Sequence, residues 1–255
     1  MLLRGQMKTS ERVGELLGEL SGPLFKAVSH ARGARTFHPR GDLTRVSMLP
    51  LYPRGHQWSE ALGKLGEALT GQGLLRLSNA LWKSVRWPDA LGAALAFVDD
   101  QGRPQQHLLM ATIRRPWTMP FAPFGTRVSD YLANDYFAVS PFSAPGLPWI
   151  WLRLHPDEGP PSPRELSRRE LLQKEIDEQR TLVLQASASP WGPWVPFLRL
   201  TLRELLADDP PGFEFDPFLD DRGLVPRGFV HALRRGAYQG SRAGRLPSVP
   251  AGLRR

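Results

Sequence analysis

One tyrosine stands among four arginines in LRRGAYQGSRAGR, residues 233–245: Tyr238 is flanked by Arg234, Arg235, Arg242 and Arg245. A helix is expected over roughly residues 226–240, which puts Arg234 and Tyr238 at i and i+4 on one face. A guanidinium beside a phenol favours the ionised form and lowers a pKa that starts near ~10. A phenolate so held is a hard, anionic ligand for ferric iron, and tyrosine is among the few axial ligands of haem. Arg245 follows seven residues after Tyr238, past the helix end, where it could meet a carboxylate. Haem carries two such groups, its propionates. An exposed tyrosine on a basic, solvated helix is the plainer alternative. It stays open, and the spacing alone favours it.

The elements that must position these residues are legible in outline. SERVGELLGELSGPLFKAVSH, residues 10–30, has helical apolar spacing, with Ser10 as N-cap and Pro23 ending the run. RTFHPRGDLTRVSMLP reads as an extended segment and turn, with Pro39 barring a central strand at that point. HQWSEALGKLGEALTGQG predicts an amphipathic helix stopped at Gly71 and Gly73. LLRLSNA, GAALAFVDD and HLLMATI predict strands, the last two joined by a DDQGR hairpin turn. WTMPFAPFG reads as a loop, VSDYLANDYFAV as a helix and PWIWLRLHP as a strand. DEGPPSPRELSRREL reads as an exposed linker, and the SRRELLQKEIDEQR run as a solvated helix face. RTLVLQASAS and VPFLRLTLREL predict two strong strands, followed by the acidic loop ADDPPGFEFDPFLDD. Strands first, helix last and hairpin-length links predict an antiparallel sheet or barrel with helices outside it.

Composition narrows the function classes. The 255 residues suffice for one large domain or two small ones, and the 25 prolines and 24 glycines suit a strand-rich fold with many turns. Lys and Arg number 33 against 25 Asp and Glu, a net charge of +8 that suits nucleic acid, an anionic membrane surface or an acidic ligand. The basic residues are not interleaved with stacking aromatics as in a single-strand groove, so no nucleic-acid partner is expected. The absence of cysteine excludes disulfides, thiolate metal sites and cysteine nucleophiles. Six histidines, at 30, 38, 56, 107, 155 and 231, fall at no metal spacing. His107 is expected as a packed or hydrogen-bonded strand residue. No Walker loop, strand-following G-x-G-x-x-G, G-x-S-x-G or H-E-x-x-H occurs. The N-terminus has no long apolar run and no small-residue cleavage site, so no signal peptide or membrane span is expected and the chain is read as cytoplasmic.

Three segments together resemble the catalase family. FDPFLDDRGLVPRGFVHALRRGAYQGSRAGR is similar to that family's proximal segment, through Phe215-Asp216-Pro217, Leu224-Val225-Pro226, Arg234, Ala237, Tyr238 and Arg245. ARTFHPRG resembles its Arg-Val-Val-His-Ala-Lys-Gly. There His38 takes the place of the distal histidine, Arg35 that of a propionate-binding arginine, and Gly41 keeps the turn. LLRLSNALWKSVRWPDALGAALAF resembles Arg-Phe-Ser followed by Asp-x-Arg-Gly-Phe-Ala-x-Lys-Phe. Arg76 and Ser78 match its start, and Asp89, Gly92, Ala94 and Phe97 its second half. The likeness runs over roughly residues 30–245 and is thin between the three blocks. The chain is about half a full catalase and looks like the minimal, catalase-related haem proteins.

The resemblance implies an α+β fold: a catalase-like antiparallel β-barrel with surrounding helices and a haem pocket, over residues 30–255, preceded by a helical extension over 1–29. It implies haem b as cofactor, Tyr238 as iron ligand, Arg234 as the group that keeps it ionised, and Arg35, Arg76 and Arg245 as propionate partners. His38 would move the peroxide proton. Phe121 and Phe124, in the aromatic loop, would line the pocket. The family's distal asparagine, within Val-Gly-Asn-Asn-Thr, is missing: HLLMAT puts Ala111 and Thr112 there, and Thr112 is left as a weaker hydrogen-bonding group. The expectation is therefore a peroxidase acting on hydrogen peroxide or organic hydroperoxides with an unidentified electron donor, and weak catalase activity at most. A fatty-acid hydroperoxide isomerase or lyase, and a non-catalytic haem protein, are the alternatives. A monomer or homodimer is expected, and the basic N-terminal helix offers contact with membranes or fatty-acid carboxylates.

Overall fold

Val46 and Met48, Leu75 and Leu77, and Leu91, Leu95 and Phe97 fall at alternate positions of three successive strands, the period that turns one side of each strand to a core. The computed structural model describes residues 41–80, 87–115, 118, 121–157, 165–207, 213, 215–216 and 219–228. The chain divides into two compact units. One, His38–Arg227, holds every described element, whereas Met1–Phe37 with Gly228–Arg255 lies outside the described residues apart from Gly228. The expected helices at 10–30 and beyond Gly228 fall in that undescribed part.

The described strands are β1 (Gly41–Pro50), β2 (Gly71–Asn79), β3 (Leu91–Val98), β4 (Pro104–Ala111), β5 (Tyr136–Phe137), β6 (Phe142–Ala144), β7 (Leu147–Pro156), β8 (Thr181–Ser187), β9 (Val195–Leu205) and β10 (Val225–Pro226). Every pairing between them is antiparallel. Their order is β10-β6-β7-β5-β4-β3-β2-β1-β9-β8, and a β7–β8 ladder closes the ring. Strands β7, β5, β4, β3, β2, β1, β9 and β8 thus form a closed antiparallel barrel, which leaves no open edge among them. Inside it, Leu182 and Leu184 of β8 face Leu200 and Leu198 of β9, and Leu154 of β7 meets Leu184.

Two longer helices rest on this barrel, α1 (Ser59–Ala68) and α3 (Arg168–Asp177); α2 (Ala122–Gly125) is a single turn. Gly66 of α1 lies so close to β9 that a Cβ there would come within 2.5 Å of the Phe197 carbonyl oxygen. The α3 start is a capping box: Ser167 Oγ accepts from Glu170 N, and the Glu170 carboxylate accepts from Ser167 N. This run does not present only a solvated face, because Leu171, Leu172, Glu175 and Ile176 are buried.

The expected helix over VSDYLANDYFAV is absent. It is a 3-10 turn at Tyr131–Ala133 followed by β5. Side chains here take the backbone partners that a helix would use. Asp130 Oδ1 accepts from Leu132 N at 2.9 Å, Asn134 Oδ1 accepts from Arg127 N at 2.8 Å, and Asn134 Nδ2 donates to Arg127 O and Asp130 O. At the opposite end of β4, Gln106 points inward opposite Phe97 and binds the returning chain. Its Nε2 donates to Leu219 O and Leu224 O, each at 3.0 Å, and its Oε1 accepts from Leu224 N. Pro226, expected in the terminal helix, instead pairs with Phe142 in β10.

Burial raises the pKa of Tyr131 well above its usual value and that of Tyr136 likewise, the second phenol donating to Tyr131 O at 2.8 Å. Below about pH 10 both phenols hold their protons folded or unfolded, so neither adds a pH dependence. Above it the unfolded phenols ionise while the folded ones do not, so stability falls, by about 1.4 kcal/mol per pH unit for each tyrosine. Urea midpoints between about pH 9 and 11 should show this decline. Tyr131→Phe should remove about half of the share due to the two tyrosines; an unchanged slope would count against their burial.

Candidate functional site

The face of β1–β4 turned away from the barrel core carries small residues around one buried cation. Strand alternation places Arg76 and Ser78 of β2 outward, between Gly41 and Leu43 of β1 and Gly92 and Ala94 of β3. Both sides of β2 are buried from Gly73 to Asn79, and Arg76 is only 8% exposed. The side chain leans along the strand toward Gly41, where a Cβ would come within 2.9 Å of Arg76 Nε and 2.7 Å of both Leu77 O and Ser78 Cβ. Gly41 is therefore glycine because the arginine and the β2 backbone occupy its side-chain space.

The other two sequence blocks reach the same face. Gly41 ends ARTFHPRG, and its partner in the β1–β2 ladder is Ser78. Phe215, from the Phe-Asp-Pro segment, packs with Phe213 on Leu43, Leu74 and Ala96. His107, opposite Ala96 on β4, anchors this segment. Its ring lies 5.3 Å from Phe215 and 5.9 Å from Phe213, its Nδ1 accepts from Asp216 N at 2.7 Å, and its backbone N–H donates to Leu219 O at 3.0 Å. The same Nδ1 lies 3.1 Å from Asp216 O, so both backbone groups of Asp216 are within its reach. His107 is thus the hydrogen-bonded strand residue that its position in HLLMATI implied, and it was not among the expected site residues.

Of the remaining matched positions, Asp89 is fully buried and holds Asn79 Nδ2 at 3.2 Å and Ala90 N at 2.8 Å, so it shapes the entry to β3. Gly92 and Ala94 face outward beside Arg76, while Phe97 faces the barrel core. Phe213 and Phe215 cover Ala96, so the small residues left beside Arg76 and Ser78 are Gly41, Gly92 and Ala94, none larger than a methyl group. Such a floor, with a guanidinium at its edge, fits a flat, largely apolar ligand that carries carboxylates.

Thr112 is not brought to this face. Alternation gives the outward position to Ala111, opposite Gly92, and turns Thr112 to the other side. There its Oγ1 accepts from Leu91 N at 3.0 Å and from Thr126 Oγ1 at 2.8 Å, which ties β3 to the turn after α2. The expected hydrogen bond from Thr112 to a distal ligand is replaced by this structural role. Phe121 and Phe124, expected to line a pocket, are 71% and 80% exposed, and the single turn that follows Phe121 buries none of its residues. Arg35, His38, Arg234, Tyr238 and Arg245 lie outside the described residues. No protein-family model matches the chain, and no curated protein matches it.

The tight fit at Gly41 has a measurable consequence. Gly41→Ala should lower stability in chemical denaturation by about 1–3 kcal/mol, as overpacked sites do. Gly125→Ala, where a Cβ meets nothing within 4 Å, should stay within about 0.5 kcal/mol of the parent. Equal effects would mean that Arg76 does not cross Gly41.

Proposed function

We propose that this chain is a haem-dependent peroxidase of catalase-like build, which reduces hydrogen peroxide or organic hydroperoxides at the expense of a second, electron-donating substrate in the cytoplasm. What supports the reading above all is one convergence. Three blocks far apart in sequence, ending at Gly41, centred on Arg76 and beginning at Phe215, meet on one outward face of β1–β4. The closed antiparallel barrel is the framework that the resemblance to catalases calls for. The buried guanidinium and the floor of glycine and alanine suit a porphyrin edge and its propionate.

In this reading Arg76 binds a propionate through charge-assisted hydrogen bonds, with Arg35 and Arg245 as further partners. Tyr238 holds the iron as a phenolate, and Arg234 at i−4 keeps that phenol ionised. Haem b, when bound, supplies a ferric centre able to accept oxidising equivalents from a peroxide and pass them to a reductant. His38 removes the proton from one peroxide oxygen and returns it to the oxygen that leaves, general acid–base work worth ~10²–10⁴-fold. Thr112, held by Leu91 and Thr126, adds nothing to peroxide binding. With Ala111 at the outward position and no carboxamide there, peroxide is gripped less firmly, which favours peroxidase over catalase turnover.

The test is turnover by the haem-loaded full chain with hydrogen peroxide, cumene hydroperoxide and a fatty-acid hydroperoxide, each with and without a dye reductant. Reductant-dependent consumption is expected. His38→Ala should retain haem and lose about 10²-fold or more in rate. Consumption of the fatty-acid hydroperoxide alone, without reductant, would assign an isomerase or lyase instead. Haem bound with no turnover of any peroxide would leave a non-catalytic haem protein.

A further inference from the structure

We propose that the turn between β4 and β5 is a docking ridge for an anionic membrane surface. Three successive bonds of i+3 spacing build it: Thr118 N to Arg115 O, Phe121 N to Thr118 O and Phe124 N to Phe121 O, at 3.1, 3.0 and 3.1 Å. The Phe121 and Phe124 rings stand 71% and 80% exposed. The Arg115 guanidinium, only 8% exposed, lies 3.1 Å over the ring of Trp191, which is itself 64% exposed on the β8–β9 loop. Arg114 lies 4.9 Å from the Phe137 ring and 5.9 Å from Trp191.

Charge supplies the second argument. From Arg114 to Ser129 the sequence holds three arginines and no Asp or Glu, and the β8–β9 loop, Ala188–Trp194, carries no charge. Exposed apolar rings, an exposed tryptophan and the cations Arg114 and Arg127, with no acid between them in sequence, suit a bilayer surface. Phenylalanine enters the acyl boundary, indole sits among the headgroups, and guanidinium groups meet lipid phosphates. A soluble monomer seldom leaves such rings together in water without a surface to meet. Single-stranded nucleic acid is the poorer fit, since the Arg115 cation lies over Trp191 rather than out where a phosphate chain would run. Among the described residues no helix is long and apolar enough to cross a membrane, so the contact proposed is a peripheral one. The proposal does not depend on haem.

Flotation of the full chain with vesicles tests it. Phosphatidylcholine vesicles containing roughly a third phosphatidylserine should bind the protein at least about tenfold more tightly than phosphatidylcholine alone, and less tightly as salt rises to about 0.5 M. Phe121→Ser with Phe124→Ser should weaken that binding by about tenfold or more, with the circular dichroism spectrum unchanged, since both rings are exposed. Arg114→Glu with Arg127→Glu should reduce it on anionic vesicles only. No binding to anionic vesicles, or binding that both double variants leave intact, overturns the proposal. So does a homodimer, or a complex with single-stranded nucleic acid, that the phenylalanine variant dissolves while vesicle binding persists.

Discussion

Closure of the ring at the β7–β8 ladder, where Trp151–Pro156 run against Leu182–Ser187, is the constraint on which the rest of the molecule depends. Once eight antiparallel strands close, the side-chain period of two is no longer a local preference. One set of positions must fill the lumen, and leucines from β2, β3, β7, β8 and β9 do so. Every polar or charged residue at the other set is then directed outward, whatever its burial. Arg76 is the sharpest case: Leu75 and Leu77 on either side of it belong to the lumen, so the arginine between them has only the outer face. A register slip of one residue would put a guanidinium among leucines, a cost of several kcal/mol that the closed ladder excludes.

The same closure explains how remote segments come to lie together. Gln106 and His107 are neighbours on β4 and point to opposite sides, yet both hold the chain that returns after β9. The Gln106 side chain does so from within through Leu219 and Leu224, the His107 ring from outside through Asp216. Two adjacent residues thus clamp residues 215–224 against the barrel. That places Phe215 on the small-residue face beside Leu74 and Ala96. The proposed haem chemistry rests on this convergence, and the proposed membrane ridge on a different part of the same framework, where the chain leaves β4 at the rim.

The long strands were legible because their alternation is strong and their turns carry distinctive residues. Asp99 in DDQGR accepts from Gln101 N and Arg103 N, and Gly102 takes positive φ, as a tight hairpin requires. The short strands β5, β6 and β10 were not legible, since two or three residues show no period and exist through their partners on β7 and β6. VSDYLANDYFAV misleads because helical spacing of its apolar residues says nothing of Asp130 and Asn134, whose side chains capture the backbone. At the site, the family likeness singled out Arg76, and Gly41 as a turn residue, whereas Gly41 opens β1. The steric reason that links them lies in cross-strand geometry and has no sequence signal. Thr112 was misjudged by one residue of strand phase. Phe121 and Phe124 are exposed, and an aromatic, proline-rich loop reads the same whether it folds over a pocket or stands in solvent.

The claim most exposed to refutation is that an iron porphyrin binds with Tyr238 as its ligand. Absorption spectra recorded while the purified full chain is titrated with haem address it directly. The account predicts saturable uptake of one haem per chain with the spectrum of a phenolate-ligated, high-spin ferric centre, a spectrum changed in Tyr238→Phe and an affinity lowered in Arg76→Leu. A chain that takes up no haem, or one whose spectrum is the same with phenylalanine at position 238, contradicts it.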